Sequence, residues 1–128
     1  TGGVGIVGFC FGGGLGYSIA AELETPHGGG QGVEALVSFY GSALPRLVDA
    51  ETVSAPSLHH FGLSDQYIDA TTVAYLESVL TRQEATTFLT YPGADHAFDN
   101  DDGPLHDHEA AALAWQRTGD WLGEHLPV

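Results

Sequence analysis

Lysine is absent from the 128 residues, and the 3 basic residues, Arg46, Arg82 and Arg117, face 17 acidic ones for a formal charge of −14. A phosphate-binding P-loop is thereby excluded, because that loop needs its Lys on the nucleotide phosphates. The negative field repels phosphate backbones and anionic lipid, so neither nucleic acid nor a membrane surface is an expected partner. A single cysteine, Cys10, cannot form an internal disulfide and rules out a disulfide-stapled secreted scaffold. No apolar run approaches the roughly 18 residues of a membrane span, and no basic, apolar leader opens the chain. Together these absences point to a reducing, cytoplasmic setting. Methionine is missing too, so Thr1 is not a start site, and the expectation is a processed chain or a piece of something longer.

What is present is enough for a core. Hydrophobic residues make up 43% and aromatics 10%, against the low hydrophobicity of disordered chains. A chain this long buries roughly two-thirds of its unfolded surface, which suits one domain over residues 1–128. Apolar runs of strand length alternate with helical patterns. Val4 to Phe9, Ala35 to Tyr40, Ser57 to Phe61 and Thr86 to Thr90 read as strands. Gly12 to Glu24, Ala70 to about Arg82 (capped by Asp69) and about His106 to Leu126 read as helices. Leu44 to Val53 reads as at most one irregular turn. The last helix has an expected buried stripe of Ala111, Trp115, Thr118 and Leu122. Such alternation specifies an open parallel α/β sheet of about four strands with flanking helices.

Ligands of these sheets bind outside the carboxyl ends of the strands, so the residues that follow each strand carry the chemistry. After the first strand stands Gly8-Phe9-Cys10-Phe11-Gly12-Gly13. Small residues at these positions around a nucleophile are what a sharp strand-to-helix turn demands, because larger side chains would clash there. Cys10 would occupy a helix N-terminus, where the dipole favours thiolate, and the Phe11 N–H would face a developing oxyanion. The alternative for a lone Cys is a small buried core residue. After the third strand comes Gly62-Leu63-Ser64-Asp65, and after the fourth Tyr91-Pro92-Gly93-Ala94-Asp95-His96-Ala97-Phe98. Asp65 is placed to orient an imidazole, although a turn role is common for Asp. Asp69 is the better helix cap, which frees Asp65. The order nucleophile, acid, base is that of the α/β-hydrolases.

With these segments, Tyr40-Gly41 and Ala114-Trp115-Gln116-Arg117-Thr118, the sequence resembles the dienelactone hydrolase family, and specifically the carboxyl-terminal half of that fold. The resemblance implies Cys10 as nucleophile, His96 as general base and later acid, and Asp65 as its partner. It also implies hydrolysis of a small ester or lactone through a thioester, with no metal and no organic cofactor. Phe9, Tyr40, Arg46 and Phe98 are the expected substrate-binding residues. Dienelactone-cleaving members resemble one another in an Arg four residues after the catalytic His. Here that position is Asn100, beside Asp99, Asp101 and Asp102, so a neutral ester or lactone is expected rather than an anionic one. In the complete family fold strands precede the elbow, so Val4 to Phe9 is expected to pair with a second copy or with a complementing N-terminal segment.

Other signals are weaker. Gly3-Val4-Gly5-Ile6-Val7-Gly8 satisfies a dinucleotide fingerprint, but it lies within a strand instead of after one. Asn100 to Glu109 imitates part of a calcium loop, with Phe98 where the first ligand belongs. His59 and His60 point to opposite faces and cannot chelate together. His106, Asp107 and His108 read as capping or surface groups. Two other readings of the whole chain stay open: a non-catalytic half-domain that needs its complement, and a redox-sensing thiol.

Overall fold

The computed structural model describes residues 3–126. Four parallel strands, β1 (Gly5–Phe9), β2 (Ala35–Phe39), β3 (Ser57–Gly62) and β4 (Thr86–Tyr91), lie side by side in chain order. The helices are α1 (Phe11–Glu24), α2 (Leu44–Leu47), α3 (Ala70–Leu80) and α4 (His108–His125). The expected open parallel sheet with flanking helices is the one observed. Among the described residues no helix is long and apolar enough to cross a membrane.

Burial follows from the layering. β2 and β3 are buried along their whole length, as strands covered on both faces must be. The adjacent His59 and His60 project to opposite faces. The His59 ring lies near Tyr17 of α1, whereas His60 is hydrogen-bonded to Thr118 of α4. Helices α1, α2 and α3 touch in series on one side, and α4 covers the other. Edge strand β1 is mostly open, with Val7 and Phe9 partly exposed. Val4 precedes the strand and is tied to Glu34 by its backbone.

Asp69 caps α3 as expected, its carboxylate accepting from the Thr72 N–H at 2.8 Å. The expected stripe of α4 needs correction. The buried residues are Ala110, Ala111, Ala114, Thr118 and Trp121, while Trp115 is 45% exposed and Leu122 only half-buried. Three alanines let the helix approach the sheet closely, and the large Trp115 is displaced to the rim, where its ring lies 5.0 Å from that of Phe39.

Candidate active site

The first βα turn is a strained elbow. Cys10 has φ 54° and ψ −123°, a left-handed conformation that costs a non-glycine residue of order 1–3 kcal/mol. The surroundings hold it there. The Cys10 N–H donates to the Phe39 carbonyl at 3.1 Å, and the Cys10 carbonyl accepts from Gly13 and Ser42. A Cβ at Gly8 would overlap the Gly12 carbonyl, and one at Gly13 would come within 2.6 Å of Ser38 Oγ. Gly8 and Gly13 are therefore steric requirements of the turn, whereas the expected need at Gly12 is not met, because a Cβ there would point into open space. Gly8→Ala is expected to destabilise the fold by at least about 2 kcal/mol, because backbone rather than a flexible side chain must give way. A urea melt with an unchanged midpoint would show that the elbow yields without cost.

Beyond the carboxyl ends of β3 and β4 the Asp65 Oδ2 and His96 Nδ1 atoms are 2.7 Å apart, with the Asp65 side chain fully buried and that of His96 12% exposed. The other carboxylate oxygen of Asp65 accepts from the N–H groups of Tyr67 and Ile68, so Asp65 serves as turn residue and imidazole partner together. Burial alone would raise the Asp65 pKa. The bond with His96 and the two backbone donors outweigh it and hold the carboxylate below its ordinary range. With Nδ1 engaged by Asp65, Nε2 is the ring nitrogen left for other chemistry. The ring is flanked by Tyr40 and Tyr67, with centroids 4.9 and 5.1 Å away.

A cleft of about 690 Å³ opens above Cys10, lined by Phe9, Tyr40, Ala97, Asp99, Asp101 and Trp115 among others. The described non-glycine residues with positive φ are Cys10, Tyr40 and Ala97, and all three line this cleft at the carboxyl ends of β1, β2 and β4. Strain concentrated in one place is how binding and catalytic sites are commonly built. Tyr40 donates its hydroxyl to Asp99. The Phe11 N–H stands in the first turn of α1, where no intrahelical acceptor exists.

Three expectations fare differently here. Phe98 does not line the cleft; it is fully buried, its ring packed against Tyr40 and Tyr91. Arg46 is exposed on α2 and does not line it either. Cys10 is not biased toward thiolate. Burial pushes its pKa up, and the Asp99 and Asp65 carboxylates push it further in the same direction. A helix end contributes only about half a charge, against two full negative charges and partial desolvation. Asp99 and Asp101, expected from the sequence to stand where an anionic substrate would be repelled, do line the cleft, whereas Trp115, His106 and His108 were not foreseen there. The usable signal was the spacing of small residues at Ala110, Ala111 and Ala114, which turns the next large side chain toward the rim.

A parallel sheet carrying a strained cysteine turn after one strand and a hydrogen-bonded Asp–His pair after two later ones has the layout of the α/β-hydrolase class. Solved structures agree. A Klebsiella pneumoniae protein provisionally described as a dienelactone hydrolase matches with TM-score 0.72 at 29% identity, over 94% of this chain and 51% of the other. A dienelactone hydrolase-like promiscuous phosphotriesterase from metagenomic libraries matches in fold with TM-score 0.74 at 24% identity, over 96% and 52%. The chain belongs to the dienelactone hydrolase family, whose model matches residues 1–126. It is 31% identical to the carboxymethylenebutenolidase of Pseudomonas sp. strain P51 over 99% of this chain and 50% of that protein. It is 30% identical to that of Pseudomonas putida over 95% and 49%. The chain thus spans about half the length of the curated relatives it matches.

Proposed function

We propose that this chain carries the reaction centre of a hydrolase acting on a small ester or lactone, with Cys10, His96 and Asp65 as its triad. The observation that carries the reading is that the strained Cys10 turn and the Asp65–His96 pair follow strand ends on either side of Tyr40, which lines the Cys10 cleft and has its ring centroid 4.9 Å from that of His96, although His96 and Asp65 do not themselves line the cleft. Family membership and relatives named carboxymethylenebutenolidase support it.

Because the thiol is held protonated, proton transfer accompanies attack. Cys10 Sγ adds to the substrate carbonyl carbon while His96 Nε2 takes the thiol proton. The oxyanion is met by the Phe11 N–H. Collapse expels the alcohol oxygen, which takes the proton from the imidazolium, and leaves a thioester on Cys10. Water then gives a proton to His96 and attacks the thioester. The second collapse releases the acid, and the departing sulfur recovers its proton. Asp65 keeps Nδ1 engaged throughout and stabilises the imidazolium. Every step is redox-neutral and calls for no cofactor. Rapid quenching with an activated ester, followed by mass spectrometry, is expected to find one acyl group on the Cys10 peptide. Turnover with no such adduct at any quench time would overturn the thioester route.

The raised thiol pKa argues against the redox-sensor reading, since sensing cysteines oxidise as thiolates. A second reading, a half-domain that works only with a complement, draws on a specific observation. Edge strand β1 offers unpaired backbone groups beside Val7 and Phe9, which are 43% and 37% exposed. Such an edge recruits another strand. Sedimentation velocity of the purified chain is expected to show dimers or larger species, through β1 pairing with a second copy or with a supplied N-terminal segment. A stable monomer at all concentrations would remove this reading.

A further inference from the structure

The cleft above Cys10 carries charge of one sign. Asp99 and Asp101 line it, and no Arg or Lys does. None of the three arginines lines it: Arg46 is exposed on α2, Arg82 lines a separate pocket that also holds Asp49 and Glu51, and Arg117 lies over the Tyr91 ring at 5.5 Å. Around the two carboxylates stand the aromatic side chains of Phe9, Tyr40 and Trp115. Phe9 and Trp115 are partly exposed into this space, and their rings, 5.9 Å apart, form a continuous aromatic wall. Aromatic faces present the negative part of a quadrupole and attract ammonium groups. Carboxylates do the same, the half-buried Asp99 more strongly than the exposed Asp101.

We propose that this cleft selects substrates bearing a positive charge, namely esters with an amino or quaternary ammonium group, over neutral esters and far over anionic ones. The proposal rests on the hydrolase reading of Cys10. Charge selection would act on chemistry as well as binding. Asp99 is one of the groups that disfavour loss of the thiol proton. A cation seated beside Asp99 offsets that field when the sulfur must become nucleophilic, so the substrate's charge assists attack.

The test is a matched series assayed with the purified chain at pH 8. The series is a choline ester of a short acid, its uncharged carbon isostere (the dimethylbutyl ester), and an ester of similar size ending in carboxylate. The expected kcat/KM of the cationic ester exceeds that of the neutral one by about tenfold, with the anionic ester lower still. Asp101→Asn and half-molar salt are each expected to compress the cationic-to-neutral ratio. A ratio of one or less, or one that neither change moves, overturns the proposal. Titrating the Cys10→Ser variant with choline and with the isosteric alcohol, read by Trp fluorescence, separates binding from turnover. Tighter choline binding supports the charge preference, and equal binding overturns it. If none of the esters is hydrolysed, the hydrolase reading falls and this titration alone decides the charge preference.

Discussion

Cys10→Ala is expected to abolish ester hydrolysis by this chain, with a loss on the order of 10⁴-fold or more in kcat and an unchanged circular dichroism spectrum. The size follows from how the three side chains are coupled. Without sulfur no thioester forms, and His96 can act only as a base toward water. His96→Ala should lose nearly as much, because the Cys10 thiol is held protonated by burial and by the Asp99 and Asp65 carboxylates. A cysteine already ionised would retain activity without its base; this one would not. The double variant should then lose no more than either single change, the mark of residues that work as a unit. Asp65→Asn removes the charge opposite His96 Nδ1 and should cost on the order of 10²-fold or more, with some loss of stability from a fully buried position. Hydrolysis that persists in Cys10→Ala after contaminating esterases are excluded would end the assignment.

The features visible in the sequence were those with short range. Strand-length apolar runs and glycine spacing report local sterics, so the sheet, the elbow and the Asp69 cap could be read directly. Asp65 was legible for the same reason: with Asp69 taking the cap, a second Asp one turn past a strand needed another role. Features set by distant packing were not legible. The register of α4 depends on how closely three alanines seat against the sheet, which moved Trp115 from the core to the cleft rim. Phe98 and Arg46 were assigned from proximity in sequence to strand ends, whereas side-chain direction put one in the core and turned the other to solvent. The protonated thiol was the least accessible of all. A helix N-terminus is visible in one dimension, but the opposing carboxylates, Asp65 and Asp99, arrive from two other strand ends.

A steep loss of stability on acidification is expected from two histidines that have no part in the proposed reaction. His59 is fully buried between α1 and the sheet, and neither of its ring nitrogens has a hydrogen-bond partner. Its neighbour across the β2–β3 ladder, Ser38, has an equally unpartnered hydroxyl. Burial lowers the His59 pKa to about 4. For His60, burial together with the charges of His59 and Arg117 lowers it to about 3, although its nitrogens are satisfied by Tyr91 and Thr118. Both rings therefore stay neutral in the folded chain at pH values where an unfolded histidine, near 6.5, takes up a proton. Their stabilising effect is complete above about pH 6.5 and is lost as pH falls toward the folded values. With two extra protons bound by the unfolded state, stability should drop by roughly 2–3 kcal/mol per pH unit between about pH 6 and 4.5. The carboxylate of Asp65, held below its usual range, adds its own loss only under about pH 4, so the two contributions separate. Urea melts across this range check the slope, and His59→Phe distinguishes the cause. That change should roughly halve the slope. It should also raise stability at neutral pH by about 1 kcal/mol, since removing a buried polar ring with no partner outweighs the strain of seating a slightly larger one. His60→Phe should halve the slope as well but lower stability at neutral pH, because the Tyr91 hydroxyl would lose its partner. A slope identical in the native chain and the His59 variant would mean that acid sensitivity arises from the acidic surface instead.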